Sequence, residues 1–396
     1  MHPLSLLNIA LCIICTLPPA WGQWTLHTID NSSKGADGVR LADVNGDGLL
    51  DVATGWEEGN RIRAYINPGT ARVKMPWPAV TVGEVQSPED AVFADVDGDG
   101  AFDVLSCCEG RNRTIYIHWA PKEADRYLDA TAWTTQAIPV TKQQQSWMFA
   151  LPMELDGKPG MDFMVASKGE QASVGLLLSG DDPRATAEWT FTRLYDAGWI
   201  MSLEPVDLDG DGDLDVVVSD RKNGPRSGVL WLENPGKPMA KWHAHRAGGH
   251  GLEVMFLDVA DIDGDQQVEI ITVTRPNNLL ILRKSKDIRS LWETERHDLS
   301  AHPIGTAKAI RVGDVDLDGR MDLFYSCEAA PRPKIGLFWL NYPELDFHDI
   351  SGPIGLKYDH MQVLDLDADG DLDVICCEER DQLGVFWYEN PARSSP

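Results

Sequence analysis

The residues best equipped for chemistry are carboxylates set at alternate positions. In Asp207-Leu208-Asp209-Gly210-Asp211-Gly212-Asp213-Leu214-Asp215 an oxygen side chain stands at every second residue, and two glycines let the backbone curl inward. Such a set suits a hard cation, which needs several carboxylate oxygens, a peptide carbonyl and turns with φ > 0. The pattern recurs with first positions at Asp43, Asp95, Glu154, Asp207, Asp261, Asp314 and Asp365, at intervals of about 50 to 60 residues. Ca2+ is the expected ion. Its predicted ligands are the first, third, fifth and ninth positions. These are Asp43, Asn45, Asp47 and Asp51 in loop one; Asp95, Asp97, Asp99 and Asp103 in loop two; and Asp207, Asp209, Asp211 and Asp215 in loop four. Loop six offers Asp314, Asp316, Asp318 and Asp322, and loop seven Asp365, Asp367, Asp369 and Asp373. Loop five offers Asp261, Asp263 and Asp265 but ends in Glu269 and lacks the second glycine. Loop three carries Lys158 where an oxygen belongs, and that ammonium is expected to replace the metal.

The segments around these loops are short, apolar and non-amphipathic, which makes them strands joined by the loop. In unit four the predicted strands are A at 201–206, B at 214–219, C at 228–234 and D at 242–246, separated by Gly, Pro and Asn. Four strands per unit and seven units predict an all-β chain, a seven-bladed β-propeller. Strand D recurs as Trp133-Thr134-Thr135, Trp189-Thr190-Phe191, Trp242-His243-Ala244 and Trp292-Glu293-Thr294. Unit seven has no strand D of its own, whereas Trp24-Thr25-Leu26-His27-Thr28-Ile29 is a strand D without a unit. The amino-terminal strand is therefore expected beside 384–388. Closure of this kind removes exposed sheet edges.

Residues 1–22 read as a secretory signal, with an apolar run and small residues at Ala20 and Gly22. The expectation is an extracytoplasmic mature chain, 23–396, forming one propeller domain with no membrane span. The formal net charge of −27 resides largely in the loops, which hold nearly half of the 62 acidic residues. No basic patch suggests nucleic acid. Five mature cysteines, Cys107, Cys108, Cys327, Cys376 and Cys377, are odd in number and have no metal-type spacing.

The Asp-rich loops before a short apolar strand resemble the FG-GAP and VCBS repeat family, which includes the calcium-binding propeller of integrin α chains. Asp95–Asp103 and Asp365–Asp373 carry the likeness most closely, and Glu154–Asp162 departs from it. The resemblance covers essentially all of the mature chain and implies fold and calcium, not activity. Val229-Leu230-Trp231-Leu232-Glu233-Asn234-Pro235-Gly236 followed by Trp242 also resembles the propeller of fungal aldos-2-ulose dehydratase.

Two alignments locate a second site. About six residues after each loop stand Glu57, Glu109, Lys168, Arg221, Arg275 and Glu328, with Glu378 one place early. About six residues before each loop stand Asp37, Glu89 with Asp90, Met148, Met201, Met255, Lys308, and Asp359 with His360. Both sets divide the ring into blades six, seven, one and two against blades three, four and five. They predict a mouth opposite the cation loops, acidic on one side and cationic on the other. Asp359, His360 and Asp37 are the candidate acid–base residues there. Two functions fit: an extracellular module binding carbohydrate or protein, or a carbohydrate lyase or dehydratase working at that mouth. No recognised catalytic motif is present, which favours binding.

Overall fold

A computed structural model describes residues 22–237 and 240–393. The expected signal, save Gly22, lies outside the described residues. Seven four-stranded antiparallel sheets follow one another along the chain. Blade one is built from Ala36–Ala42, Asp51–Trp56, Arg61–Tyr65 and Ala79–Gly83, and the later blades repeat that order. Each innermost strand A touches the next, and that of blade seven, Tyr358–Leu364, touches that of blade one. The ring is thus closed, as a seven-bladed propeller requires. The only helical segments among the described residues are short 3-10 turns, and no helix there is long and apolar enough to cross a membrane.

Closure occurs where the sequence places it. Thr25–Asp30 pairs antiparallel with Gly384–Glu389, Thr25 opposite Glu389 and Thr28 opposite Phe386. A hydrogen bond of 2.8 Å joins His27 Nε2 to Glu389 Oε2 across the junction, and Trp24 meets Phe324 of blade six edge-on.

Strands B and C are buried on both faces because each blade lies between two others, so they read as continuous apolar runs. The tryptophans expected to begin strand D stand one residue ahead of it. They serve the turn between strands C and D instead: Nε1 of Trp133, Trp189 and Trp292 donates to the carbonyls of Tyr127, Pro183 and Ile288 at 2.9–3.0 Å. Trp77 does the same for blade one, donating to Val73. All five described cysteines are buried and unpaired, as small core side chains.

Candidate functional site

The acidic loops are the A–B turns. In every loop but the third, the first carboxylate gathers the backbone. Asp43 accepts from the N–H groups of Gly46, Asp47 and Gly48, and Asp207 from those of Gly210 and Gly212. Loop five closes in the same way although Gln266 replaces the second glycine, at φ 70°. Three carboxylates come together in loops two, four and five: Asp95–Asp97–Asp99, Asp207–Asp209–Asp211 and Asp261–Asp263–Asp265. Several oxygens of loops two, four, six and seven are buried without any donor: Oδ1 of Asp95, Asp209, Asp213, Asp314, Asp367 and Asp371. Buried acceptors without a partner are costly. In loop three Lys158 does not occupy the centre; its ammonium reaches out to Asp181 at 3.0 Å.

The ninth position has a second duty that its spacing did not disclose. One oxygen of Asp373 accepts from the N–H of Leu366, inside the loop, and the other from Asn390, just past strand C, both at 2.9 Å. Asp51, Asp103 and Asp215 repeat this clamp. A carboxylate has about four lone-pair sites, so the clamp leaves capacity for a cation. Burial, with the neighbouring loop carboxylates, pushes Asp103 and Asp373 up to about 8.

The mouth lies at the other end of strands A and B, roughly 20 Å away at about 3.3 Å per residue. In every blade the pairing of A with B slips near this end. Glu89, Met148, Met201, Lys308 and Asp359 fall within the slips, and Asp37 stands at the edge of one. A bulge leaves its residue outside the ladder and re-aims it, which is why one column of the sequence faces the channel. A cavity of about 270 Å³ results. It is lined by Glu57, Glu109, Lys168, Arg221, Arg275 and Glu328 from the ends of strand B, and by the strand A residues Asp37, Glu89, Met148, Met201, Lys308 and Asp359. Trp199, Phe149, Phe256 and Lys357 complete it.

The charges are arranged as two arcs stitched at their borders. Lys168 of blade three pairs with Glu89, at 2.8 Å, and with Glu109, both on blade two. Arg275 of blade five pairs with Glu328 of blade six. Between these borders Arg221 contacts one carboxylate, Glu253, at 3.3 Å, and its guanidinium lies 4.5 Å from the Trp199 ring. The acidic arc holds two lysines: Lys308 lies 3.0 Å from Asp359, and Lys357 bonds Glu379. Burial and Glu89 raise Glu109 to about 7.

Four residues expected at the mouth stand elsewhere, and one of them, Met255, is wholly buried while Phe256 beside it lines the cavity. Glu378 accepts the N–H groups of Leu356, Lys357, Arg380 and Asp381 and so caps backbone. The residue six places after Asp373 is Glu379, and it is Glu379 that joins the charged ring. His360 lies deeper, where its Nε2 accepts from Arg311, its ring meets Phe256 at 5.0 Å, and burial drives its pKa well down. The same holds for Asp90, which Arg40 grips at 2.8 and 3.2 Å. In both Glu89-Asp90 and Asp359-His360, the first residue faces the mouth and the second a lower layer organised by Arg40 and Arg311. Arg311 also donates to the carbonyls of Leu257 and Met361 and to Glu204. Arg40 and Arg311 share one place in the repeat, three residues before Asp43 and Asp314, and Glu204 and Asp258 stand at the same offset in blades four and five, a column that the two alignments above did not include.

Comparison with known proteins fits this architecture. Residues 43–106 and 261–325 each match the FG-GAP-like repeat family. The propeller carries FG-GAP-like repeats in these two stretches. No curated protein sequence matches the chain. Among solved structures, Sqt1 of Saccharomyces cerevisiae is similar with a TM-score of 0.53 at 11% identity, over 93% of this chain and 98% of that one. BBS1N, solved in complex with ARL6DN and soaked with lead, is similar with a TM-score of 0.53 at 8% identity, over 94% and 98%. At such identities these likenesses speak for the fold alone. An FG-GAP-like propeller is in general a binding or structural module, and the same fold hosts many functions.

Proposed function

We propose that this FG-GAP-like propeller is an exported binding module, stabilised by calcium in its A–B loops, that takes a small anionic carbohydrate at the channel mouth. The observation that carries the reading is the convergence of charged side chains from all seven blades on one cavity, at the end remote from the acidic loops. A guanidinium grips a carboxylate bidentately, and Arg221, with one acidic partner at 3.3 Å, has N–H donors to spare. The aromatic faces of Trp199, Phe149 and Phe256 suit the apolar side of a sugar ring. The calcium reading is supported by the loop oxygens that are buried without a donor. Loops one, two, four, six and seven would hold the ion through their first, third, fifth and ninth positions.

A glycan panel presented to the calcium-loaded protein tests the reading. Acidic sugars are expected to bind in preference to neutral ones, and Arg221→Ala to weaken binding by about tenfold or more, the loss of a charge-assisted pair. Binding that is indifferent to ligand charge and to Arg221→Ala defeats it.

A second reading, a sugar lyase or dehydratase, draws support from the close approach of Glu379 to Asp37 and Asp359, two residues that line that cavity. The deep placement of His360 weighs against it. Following the absorbance of new double bonds during the panel separates the two readings.

A further inference from the structure

One group of carboxylates in the mouth is incompletely partnered. Asp37 lines the cavity, is 8% exposed, and has no hydrogen-bond or ion-pair partner among the described residues. Oxygens of Asp37, Asp359 and Glu379 lie within 4.8 Å of one another. Asp359 and Glu379 each give an oxygen to an ammonium, that of Lys308 and that of Lys357 respectively. The other Glu379 oxygen, Oε1, is buried and meets no donor. Its neighbour is the Asp359 carboxylate, an acceptor already held by the His360 N–H at 2.7 Å and by Lys308, and a proton or a cation between the two carboxylates would supply what Oε1 lacks.

Charge decides between them. Three carboxylates and two ammoniums leave one buried negative charge, since Glu328, 3.8 Å from Lys308, is already paired with Arg275. A single proton cancels it and supplies the missing donor, whereas a divalent cation would stand beside two ammoniums. Glu89, the remaining charge that faces Asp37 from the adjoining blade, is already held by Lys168. The electrostatics agree. Burial and the Asp359 charge raise Glu379 to about 8. Burial and the same neighbour raise Asp37 well above the ordinary range. Against its own burial, Lys308 and Lys357 hold Asp359 low. Like charges crowded together behave in this way.

We propose that Asp37, Asp359 and Glu379 form the hydroxyl-recognising end of the mouth site, with a proton shared by Asp359 and Glu379 at neutral pH. The ligand is a hydroxylated carboxylic acid of monosaccharide size, its carboxylate on Arg221 across the ring and its hydroxyls on Asp37 and Asp359, which line the cavity, with Glu379 buried behind them. This deepens the ligand reading given above and rests on it.

Calorimetric titration with glucuronate, in calcium-containing buffer between about pH 6 and about pH 10, tests the idea. One linked proton predicts affinity falling about tenfold per pH unit above about 8, as the acidic arc gains the charge that repels the anion. Glu379→Gln, permanently neutral, is expected to bind without that fall. Independently of any variant, 13C NMR of the parent should show a Glu carboxyl titrating near 8. The shared proton is overturned by glucuronate binding that is flat with pH, by a pH-dependent fall that survives in Glu379→Gln, or by mouth carboxyls all titrating below about 6. It is also overturned by a divalent-cation site lost in Asp37→Asn. Flat binding that still requires Arg221 sinks the proton and spares the ligand reading. No glucuronate binding at any pH sinks both.

Discussion

At the scale of single residues, position along the repeat proved more telling than residue type. The offset of six from each loop identifies the mouth column on both strands, and at Glu379 it holds where the more regular-looking Glu378 misleads. The depth of a side chain in the channel was not legible. Asp90 and His360 follow mouth residues directly, and the local slip in pairing, which no residue type announces, sends them to the lower layer. The clamp at position nine was hidden for another reason. An aspartate that binds two backbone N–H groups and one that binds a cation have the same sequence signature. Asp373→Ala is expected to leave the Leu366 and Asn390 amides unpaired, costing about 1–3 kcal/mol each if water does not reach them, as read by denaturant unfolding. Glu379 also gives stability a pH dependence. Its folded pKa, about 8, stands above its ordinary 4.5, so the folded state binds the extra proton. That contribution is complete below about 4.5 and disappears as pH rises through about 8. Glu379→Gln should flatten this part of the stability profile, measured by thermal melting with calcium held constant.

At the scale of elements, apolar runs and Gly/Pro punctuation were enough to place the strands, because each blade is covered on both faces. The turn chemistry was only half visible. The tryptophan ahead of strand D reads as part of the strand, yet its indole ties the preceding turn. Loop behaviour gives the sharpest prediction here. A chelator should lower the melting temperature, since a ligand bound only by the native state stabilises it by mass action. Metal analysis of the dialysed protein should find about five ions, none of them in loop three. An unchanged melting temperature and no retained metal would refute the calcium reading. Gly212, at φ 97°, provides a local control: Gly212→Val should cost about 1–3 kcal/mol of backbone strain and lower the calcium affinity of that loop.

At the scale of the molecule, closure was the most legible feature, since a strand without a blade and a blade without a strand leave one solution. What fills the channel was not legible, because the charged residues that meet there lie on different blades and far apart in sequence. Arg311 alone joins Leu257, Met361, Glu204 and His360. Removing one member of such a buried network leaves the others uncompensated. Arg311→Ala is expected to destabilise the ring by about 3–5 kcal/mol without touching the mouth ligand. Denaturant titration and glucuronate binding read the two effects separately. A fully stable Arg311→Ala protein would show that the network contributes little.

The junction between Thr25–Asp30 and Gly384–Glu389 also constrains the order of assembly. The strand synthesised first is paired last, so it must wait, unpartnered, while nearly the whole chain is made. Long-range contacts of this kind close slowly, and until then the outer edge of Gly384–Glu389 is open to the strand of another molecule. Refolding at high protein concentration should therefore yield exchanged dimers. A permuted chain that joins the neighbouring Gly22 and Pro391, with new ends in an exposed connection between blades, should refold faster and remain monomeric.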